Sequence, residues 1–222
     1  MVQTNPYDKA KKRKRRIRLL KIRRALFLGV CFLVLLSGLV FAFRFDSIYA
    51  FRQRKIAAEA KIPDYVDVQL LSRGKARTGI PISNVKNIVV HYVGNPNTSA
   101  QNNRDYFAKK DTEVSSHFAV GLEGEIIQCV PLSEKSSASN WRNKDTISIE
   151  VCHPDESGKF SDVTTESLVK LTAWLCQTFH LSEQDILRHY DITGKECPRY
   201  FVTNEAAYEE FLQQVKESIS KH

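Results

Sequence analysis

A run of 19 uncharged residues constrains this chain more than any other feature of its sequence. It covers residues 25–43 and reads ALFLGVCFLVLLSGLVFAF. A helix rises about 1.5 Å per residue, so this run would extend roughly 28 Å, close to the hydrocarbon thickness of a bilayer. A helix buried in the core of a soluble domain normally keeps a polar face, and this run has none. The sequence therefore predicts a single transmembrane helix.

Positive charge is concentrated immediately before this run. Residues 1–24 carry 11 Lys and Arg against one acid, Asp8, whereas the chain from Ile62 onward carries 17 basic and 22 acidic residues. An excess of basic residues on one flank predicts that this flank stays in the cytoplasm and that the C-terminal part lies outside. A nucleic-acid-binding domain should carry clustered basic charge on its folded part. We therefore predict no nucleic-acid partner.

A cleaved signal peptide is the competing interpretation of the apolar run. Its apolar region is usually about 7–15 residues long and ends at a small-x-small cleavage site. Here Arg44 follows the run directly, and Ile48-Tyr49-Ala50 fits such a site poorly. We therefore predict an uncleaved anchor and a single-pass protein of the cell membrane. The chain then has four parts: a basic cytoplasmic tail (1–24), the transmembrane anchor (25–43), a polar, partly helical stalk or linker (44–62) and an extracytoplasmic domain (63–222).

Strands and helices alternate along the extracytoplasmic part. The segments 87–93 (NIVVHYV) and 145–152 (DTISIEVC) indicate strands, and SSHFAVGLEGEIIQCVP indicates a hairpin. A helix is expected in TSAQNNRDYFAKK, capped near Thr98 or Ser99, and a second in TTESLVKLTAWLCQTF, starting at a threonine cap. NEAAYEEFLQQVKESI should form an amphipathic terminal helix. This alternation predicts a mixed α/β layer domain.

The chain has five cysteines, and Cys31 lies in the predicted anchor. Cys129, Cys152, Cys176 and Cys197 lie in the exported part, where disulfides can form. If Cys197 binds a metal, three remain, and three cannot all pair within one chain. Buried thiols that behave as small apolar side chains are favoured for these three, with one bridge among them left open.

The segment 187–201, LRHYDITGKECPRYF, combines potential metal ligands with turn-forming residues. His189 and Cys197 lie eight positions apart, and His91 lies at the end of a predicted buried strand. Two imidazoles and one thiolate would fill three positions of a zinc site and leave the fourth for water. Each residue alone is nonspecific, since a lone strand histidine is more often structural. Lys195 could stabilise an oxyanion, with an ordinary exposed loop lysine as the alternative.

Glu150 is the candidate proton acceptor in the strand SIEVC. Side chains alternate along a strand, so Glu150 shares one face with Ser148 and Cys152, opposite Ile147 and Ile149. A carboxylate among β-branched residues is costly to bury without a partner. An edge-strand glutamate that faces water would explain the local pattern equally well. Cys152 is a rival metal ligand on the same face.

Four separated motifs occur in the order IVVHYVGNP, VSSHFAVGLEGEIIQCVP, TISIEVC and LRHYDITGKECPR. Together they resemble the zinc-dependent N-acetylmuramoyl-L-alanine amidases, the type 2 amidases related to phage endolysin amidases and peptidoglycan-recognition proteins. The resemblance covers about Ile80 to Phe211, nearly the whole exported domain. It implies an α/β fold of that family, in which a mixed central β-sheet is flanked by helices, preceded here by the transmembrane helix.

The resemblance also implies roles for individual residues. It assigns Glu150 as the catalytic carboxylate and Lys195 as the lysine that precedes the ligand cysteine. His117 matches a histidine in the family's S-x-H-[FY] hairpin and is expected to line the substrate-binding groove. Some relatives have a tyrosine where this chain has Ser116, and those relatives lack the strand glutamate. By the same resemblance three residues bind Zn²⁺: His91, His189 and Cys197.

The activity implied by the resemblance is hydrolysis of the amide between N-acetylmuramic acid and the L-alanine of the peptidoglycan stem peptide. Zn²⁺ is the expected cofactor and peptidoglycan the expected partner, while no oligomeric state is predicted. The alternative is a peptidoglycan-binding module of the same fold without catalytic activity. Relatives of that kind typically lack the ligand cysteine, which is present here as Cys197.

Overall fold

The computed structural model describes residues 6–221. Residues 1–5 of the predicted cytoplasmic tail and the C-terminal His222 therefore lie outside the described residues. The chain divides into two compact units, Met1–Ile48 and Tyr49–His222.

The first unit is formed by a long helix. Helix α1 spans Pro6–Glu59, and its stretch Lys11–Phe41 has a mean hydropathy of 2.3 in its most apolar window. Among the described residues it is the one helix long and apolar enough to cross a membrane. Its apolar side chains are exposed, for example Phe27 and Leu35. The predicted apolar helix is confirmed, and its length and composition fit both a membrane anchor and a signal sequence.

A six-stranded mixed sheet forms the centre of the second unit. Its strand order is β1-β4-β3-β5-β2-β6, and among the described strands β3 and β4 alone pair antiparallel. Strand β5, which carries Glu150, lies inside the sheet between β3 and β2, so the edge-strand interpretation of this residue is wrong. The strands are β1 (Val66–Val68), β2 (Asn87–Tyr92), β3 (Phe118–Val120), β4 (Ile126–Gln128), β5 (Thr146–Val151) and β6 (Ile186–Arg188).

Five further helices surround the sheet. The predicted cap of the first of them is confirmed, because Ser99 Oγ accepts a hydrogen bond from the N–H of Asn102 at 3.1 Å. The second begins earlier than predicted, since its cap is Ser161, whose Oγ accepts from the N–H of Thr164 at 3.2 Å. The helices are α2 (Ala100–Phe107), α3 (Asp162–Phe179), α4 (His189–Thr193), α5 (Arg199–Thr203) and α6 (Glu205–Ser220).

The two faces of the sheet have different roles. Because side chains alternate along a strand, Ile88 and Ile149 lie on the face that packs against α3 and α6 in the main hydrophobic core. His91 and Glu150 lie on the opposite face, where a smaller apolar cluster includes Phe107 of α2. The polar side chains of the site therefore lie on the face of the sheet opposite the main core, on the side where the short helix α2 packs.

The last turns of α1 belong to the second unit and pack against it. Gln53 is 2% exposed, and its Nε2 donates to the carbonyl oxygen of Phe179 at 3.0 Å. That carbonyl ends α3 and so lacks a partner within its own helix. Ala57 is buried in the main core. The predicted linker 44–62 is therefore corrected, because from Tyr49 onward its residues are part of the folded unit.

The cysteines carry no disulfide in the part of the chain that the structure describes. All five are free, and the four in the second unit are buried. Burial raises the pKa of the Cys129, Cys152 and Cys176 thiols to about 12, so these side chains stay neutral at physiological pH. The prediction of buried apolar-like thiols is confirmed, and no bridge forms among the three.

Candidate metal centre and active site

The candidate site lies at the carboxyl ends of three adjacent parallel strands. His91 is the next-to-last residue of β2, and it pairs in register with Glu150, the next-to-last residue of β5. His189 follows directly after β6. Side chains at the carboxyl ends of parallel strands converge at one edge of the sheet, where α/β proteins usually bind ligands.

A tight turn brings Cys197 to the same edge. Helix α4 is capped at its C-terminus by Gly194, whose φ of +75° lies in the left-handed region that favours glycine. The chain then folds back, and the N–H of Tyr190 donates to the carbonyl oxygen of Cys197 at 2.9 Å. The turn therefore places Cys197 beside the start of α4, where His189 lies.

The three predicted metal ligands form one compact, buried cluster. The ligand atoms of His91, His189 and Cys197 all lie within 4.8 Å of one another, and each residue is at most 7% exposed. Nδ1 of His91 is 3.9 Å from Sγ of Cys197, and the two imidazole centroids are 4.6 Å apart. Ligand atoms about 2.0–2.3 Å from a tetrahedral zinc ion lie roughly 3.3–3.8 Å from one another. The donor set and its spacing therefore fit zinc with modest adjustment.

The protonation states of the two histidines suit metal binding. Desolvation, together with the nearby His189 and Lys195, lowers the pKa of His91 well below its usual value. Burial also lowers the pKa of His189, again with a contribution from Lys195. Both imidazoles are therefore neutral at neutral pH, which is the form that binds metals.

The cysteine of the cluster behaves differently. Burial, reinforced by the carboxyl of Glu150, raises the pKa of Cys197 to about 12. A thiol in this position ionises at neutral pH only when a cation stabilises the thiolate, since ligands must lose their protons when a metal binds. The chemistry of the cluster is thus consistent with a cation-binding site.

Glu150 faces the same region without a compensating partner. Its Oε2 atom is buried, and no group of residues 6–221 forms a hydrogen bond with it. Burial raises the pKa of this carboxyl to about 8, although Lys195 acts in the opposite direction. An unpaired buried carboxyl is costly and therefore typical of a functional site.

A cavity of about 780 Å³ opens over the cluster. One wall is formed by α2 with Asn102, Asn103 and Tyr106, and another by the segments 113–115 and 137–143. The five residues predicted as metal ligands and catalytic groups all line it: His91, Glu150, His189, Lys195 and Cys197.

Two predicted candidates do not belong to this cluster. Sγ of Cys152 lies 3.5 Å from Nδ2 of Asn103 and outside the group of metal ligands among the described residues, so its prediction as a rival ligand is wrong. His117 is completely buried and does not line the cavity. Its Nδ1 accepts from the N–H of Ser148 at 3.0 Å, and its Nε2 donates to the carbonyl oxygen of Glu134 at 2.9 Å. This placement differs from the expected groove position and indicates a role in packing.

Two residues that contact the histidines of the cluster were not predicted from the sequence. Ser139 Oγ is 3.2 Å from Nε2 of His91, and Asn140 Oδ1 is 3.3 Å from Nε2 of His189. Both lie where the chain enters a 3₁₀ segment, Asn140–Lys144. Their only sequence signal is a run of small polar residues between two predicted strands, which is typical of any loop.

Comparison with known proteins identifies related sequences. The profile of the N-acetylmuramoyl-L-alanine amidase family, Amidase_2, matches residues 81–200. The amidase BlyA of Bacillus subtilis (strain 168) is 33% identical over 165 residues, which cover 65% of this chain and 44% of BlyA. CwlL of Bacillus licheniformis is 31% identical over 156 residues, or 63% of this chain and 43% of CwlL. The chain thus spans less than half the length of these relatives.

Solved structures share the fold. PlyL superposes with a TM-score of 0.61 at 24% identity, covering 68% of this chain and 96% of PlyL. A mutant endolysin from Bacillus subtilis gives 0.59 at 25% identity, covering 66% of this chain and 97% of the endolysin. Because the family profile spans more than half of the chain and includes the whole His-His-Cys cluster, this protein belongs to the N-acetylmuramoyl-L-alanine amidase family.

Proposed function

We propose that this chain hydrolyses the amide bond between N-acetylmuramic acid and the L-alanine of the peptidoglycan stem peptide. The observation that carries the proposal is the buried His-His-Cys cluster beside the carboxyl of Glu150, whose Oε2 has no hydrogen-bond partner within residues 6–221, both lining one cavity. The relatives named above are N-acetylmuramoyl-L-alanine amidases. Peptidoglycan is accordingly the proposed substrate.

The proposed mechanism divides the chemistry among five side chains. His91, His189 and Cys197 would hold a zinc ion, which supplies polarisation of the scissile carbonyl and a lowered pKa for the attacking water. Glu150 accepts the proton of that water and delivers it to the leaving amine, as a general base and then a general acid. A carboxyl with a raised pKa suits both steps near neutral pH. The ammonium group of Lys195, exposed at the cavity, stabilises the negative charge that develops on the carbonyl oxygen.

Product analysis tests this proposal directly. The full-length chain, solubilised in detergent and loaded with zinc, should release stem peptides with new free L-alanine N-termini from purified peptidoglycan, as detected by mass spectrometry. Cys197→Ala should lose tight zinc binding and reduce product release at least about 100-fold, because a ligand of the metal is removed. Cys176→Ala is the matched control, since it removes another buried thiol outside the metal cluster and should stay active.

A binding module without catalytic activity is the competing function, and the same experiment separates the two. It would retain peptidoglycan in a pull-down and release no amine from it, with or without zinc. Cys197 and the unpartnered Glu150 favour the enzyme, because pure recognition needs neither a thiolate ligand nor a proton acceptor.

We also propose that residues 25–43 anchor the chain in the cell membrane, with the basic tail in the cytoplasm and the amidase domain outside. The hydropathy of α1 and the 11 basic residues within 1–24 support this orientation. An N-terminal epitope on the chain should survive protease treatment of intact protoplasts while the amidase domain is degraded. Carbonate washing should leave the untreated chain in the membrane pellet. A soluble chain that has lost its N-terminus would instead identify a cleaved signal sequence.

A further inference from the structure

Two consecutive residues of one loop contact the Nε2 atoms of the two histidines proposed as metal ligands. Nε2 of His91 lies 3.2 Å from Ser139 Oγ, and Nε2 of His189 lies 3.3 Å from Asn140 Oδ1. We call residues 137–145, which carry both contacts, the clamp loop. On its other side, the ring of His91 presents Nδ1 to Sγ of Cys197 at 3.9 Å.

We propose that Ser139 and Asn140 are positioning residues that hold both histidines as the Nε2–H tautomer, so that Nδ1 of each ring is the bare nitrogen offered to the metal. The inference rests on the proposed function only in treating the cluster as a metal centre. In metal sites the second ring nitrogen of a ligating histidine usually donates to such a partner, which fixes both the tautomer and the ring orientation.

The contacts define the donor and acceptor roles of the proposed arrangement. The side-chain oxygen of Asn140 accepts, so Nε2 of His189 carries the hydrogen and donates to it. At His91, Nε2–H donates to Ser139 Oγ, and the neutral thiol of Cys197 donates to the bare Nδ1. In this arrangement the hydrogens of both rings lie on Nε2, and Nδ1 of each ring is free to bind a metal.

Hydrogen bonds hold the backbone of the clamp loop in place, so the loop can keep the two histidine rings in these orientations. Oδ1 of Asn143 accepts from the backbone N–H groups of Ala138 at 3.0 Å and Ser139 at 2.6 Å. The N–H of Ser137 donates to the carbonyl oxygen of Ser115 at 3.1 Å. These bonds fix the backbone on the N-terminal side of both clamping side chains, and Ser139 is completely buried.

The contacts of Ser139 and Asn140 with the histidines can each be removed by a substitution that the backbone tolerates. Asn140 has a φ of +52°, which glycine adopts freely, so Asn140→Gly removes the amide and keeps the turn. Ser139→Ala removes a single hydroxyl. Ser136→Ala is the matched control, because this buried serine precedes the clamp loop and its hydroxyl bonds Ser148 Oγ at 2.7 Å rather than a histidine ligand.

The first measurement reads the tautomers directly. The full-length chain, labelled with ¹⁵N at its six histidines, stripped of metal and held in detergent micelles, should show His91 and His189 as Nε2–H tautomers. Ser139→Ala should shift His91 toward a mixture of tautomers, and Asn140→Gly should do so for His189. Ser136→Ala should change neither. No zinc or substrate is needed, so an inactive enzyme with these tautomers would refute the proposed function and leave this inference standing.

The second measurement is zinc affinity, from competition with a chromophoric chelator. Ser139→Ala and Asn140→Gly should each weaken it by about 10-fold or more, as expected for the loss of a partner that orients a ligand. Ser136→Ala should stay close to the wild type. An Nδ1–H tautomer at either histidine of the wild type would overturn the inference. So would unchanged tautomers and affinity in both clamp variants. If Ser139→Ala does not fold, Asn140→Gly decides the outcome.

Discussion

Glu150→Gln is expected to reduce the rate of product release by about 10²–10⁴-fold while zinc stays bound. The amide has nearly the shape of the carboxyl, so packing around β5 should be kept. It cannot accept the proton of the attacking water, and the rate therefore loses the contribution of general acid–base catalysis. Initial rates on purified peptidoglycan and zinc content after dialysis, both on the full-length chain, measure the two parts of this expectation.

A second glutamate provides the control for this substitution. Glu123 is exposed in the turn between β3 and β4, away from the cavity lining. Glu123→Gln makes the same chemical change and should keep wild-type rates. If Glu150→Gln is also fully active, another group accepts the proton and Glu150 has no part in the mechanism. If it loses zinc together with activity, its role is to support the metal rather than to transfer protons.

The cluster of His91, His189 and Cys197 could be predicted from the sequence because each residue lies in a recognisable local element and the motifs follow the order of the family. His91 lies near the end of a β-branched run, and His189 and Cys197 flank a turn marked by Gly194. Each signal alone was nonspecific, and the family resemblance is what combined the three residues into one predicted ligand set. Strand order was not predictable in the same way, because it depends on which strands pair over long sequence separations. That is why the interior position of β5, and with it the burial of Glu150, emerged only from the structure.

Two predictions differ from the structure for one physical reason. His117 and Gln53 are polar, and a polar residue on its own predicts exposure, a groove or a linker. Each is instead at most 2% exposed, and its side chain donates a hydrogen bond to a backbone carbonyl oxygen from another part of the chain. Most buried polar groups have such a partner. Sequence periodicity carries no information about partners that lie 17 to 126 positions away.

Glu150 should also make the metal-free protein less stable as the pH rises. Its pKa is about 8 in the folded state, against 4.5 for an ordinary glutamate. Between these values the folded state holds a proton that the unfolded state has released, so raising the pH favours unfolding. One pKa unit corresponds to about 1.4 kcal/mol. The side chain is partly exposed, which reduces the effect. Above pH 8 the free energy of unfolding should therefore be lower by about 2–3 kcal/mol.

The difference between the wild type and Glu150→Gln isolates this contribution. His91 and His117 have lowered pKa values and act in the opposite direction, since their stabilisation increases as the pH rises toward the value of an ordinary histidine. They are present in both chains and cancel in the difference. Both tryptophans, Trp141 and Trp174, belong to the second unit, so urea unfolding followed by tryptophan fluorescence reports on this unit.

In the presence of a chelator, the stability of Glu150→Gln relative to the wild type should increase from pH 5 to pH 9. A constant difference across that range would show that the carboxyl is not held in its neutral form. Zinc should make this stability difference depend less on pH, because a cation beside the carboxyl favours its ionised state. The same desolvation that would make Glu150 a proton acceptor near neutral pH therefore destabilises the metal-free domain. A variant that is more stable and also inactive is the result expected if this burial is retained for catalysis.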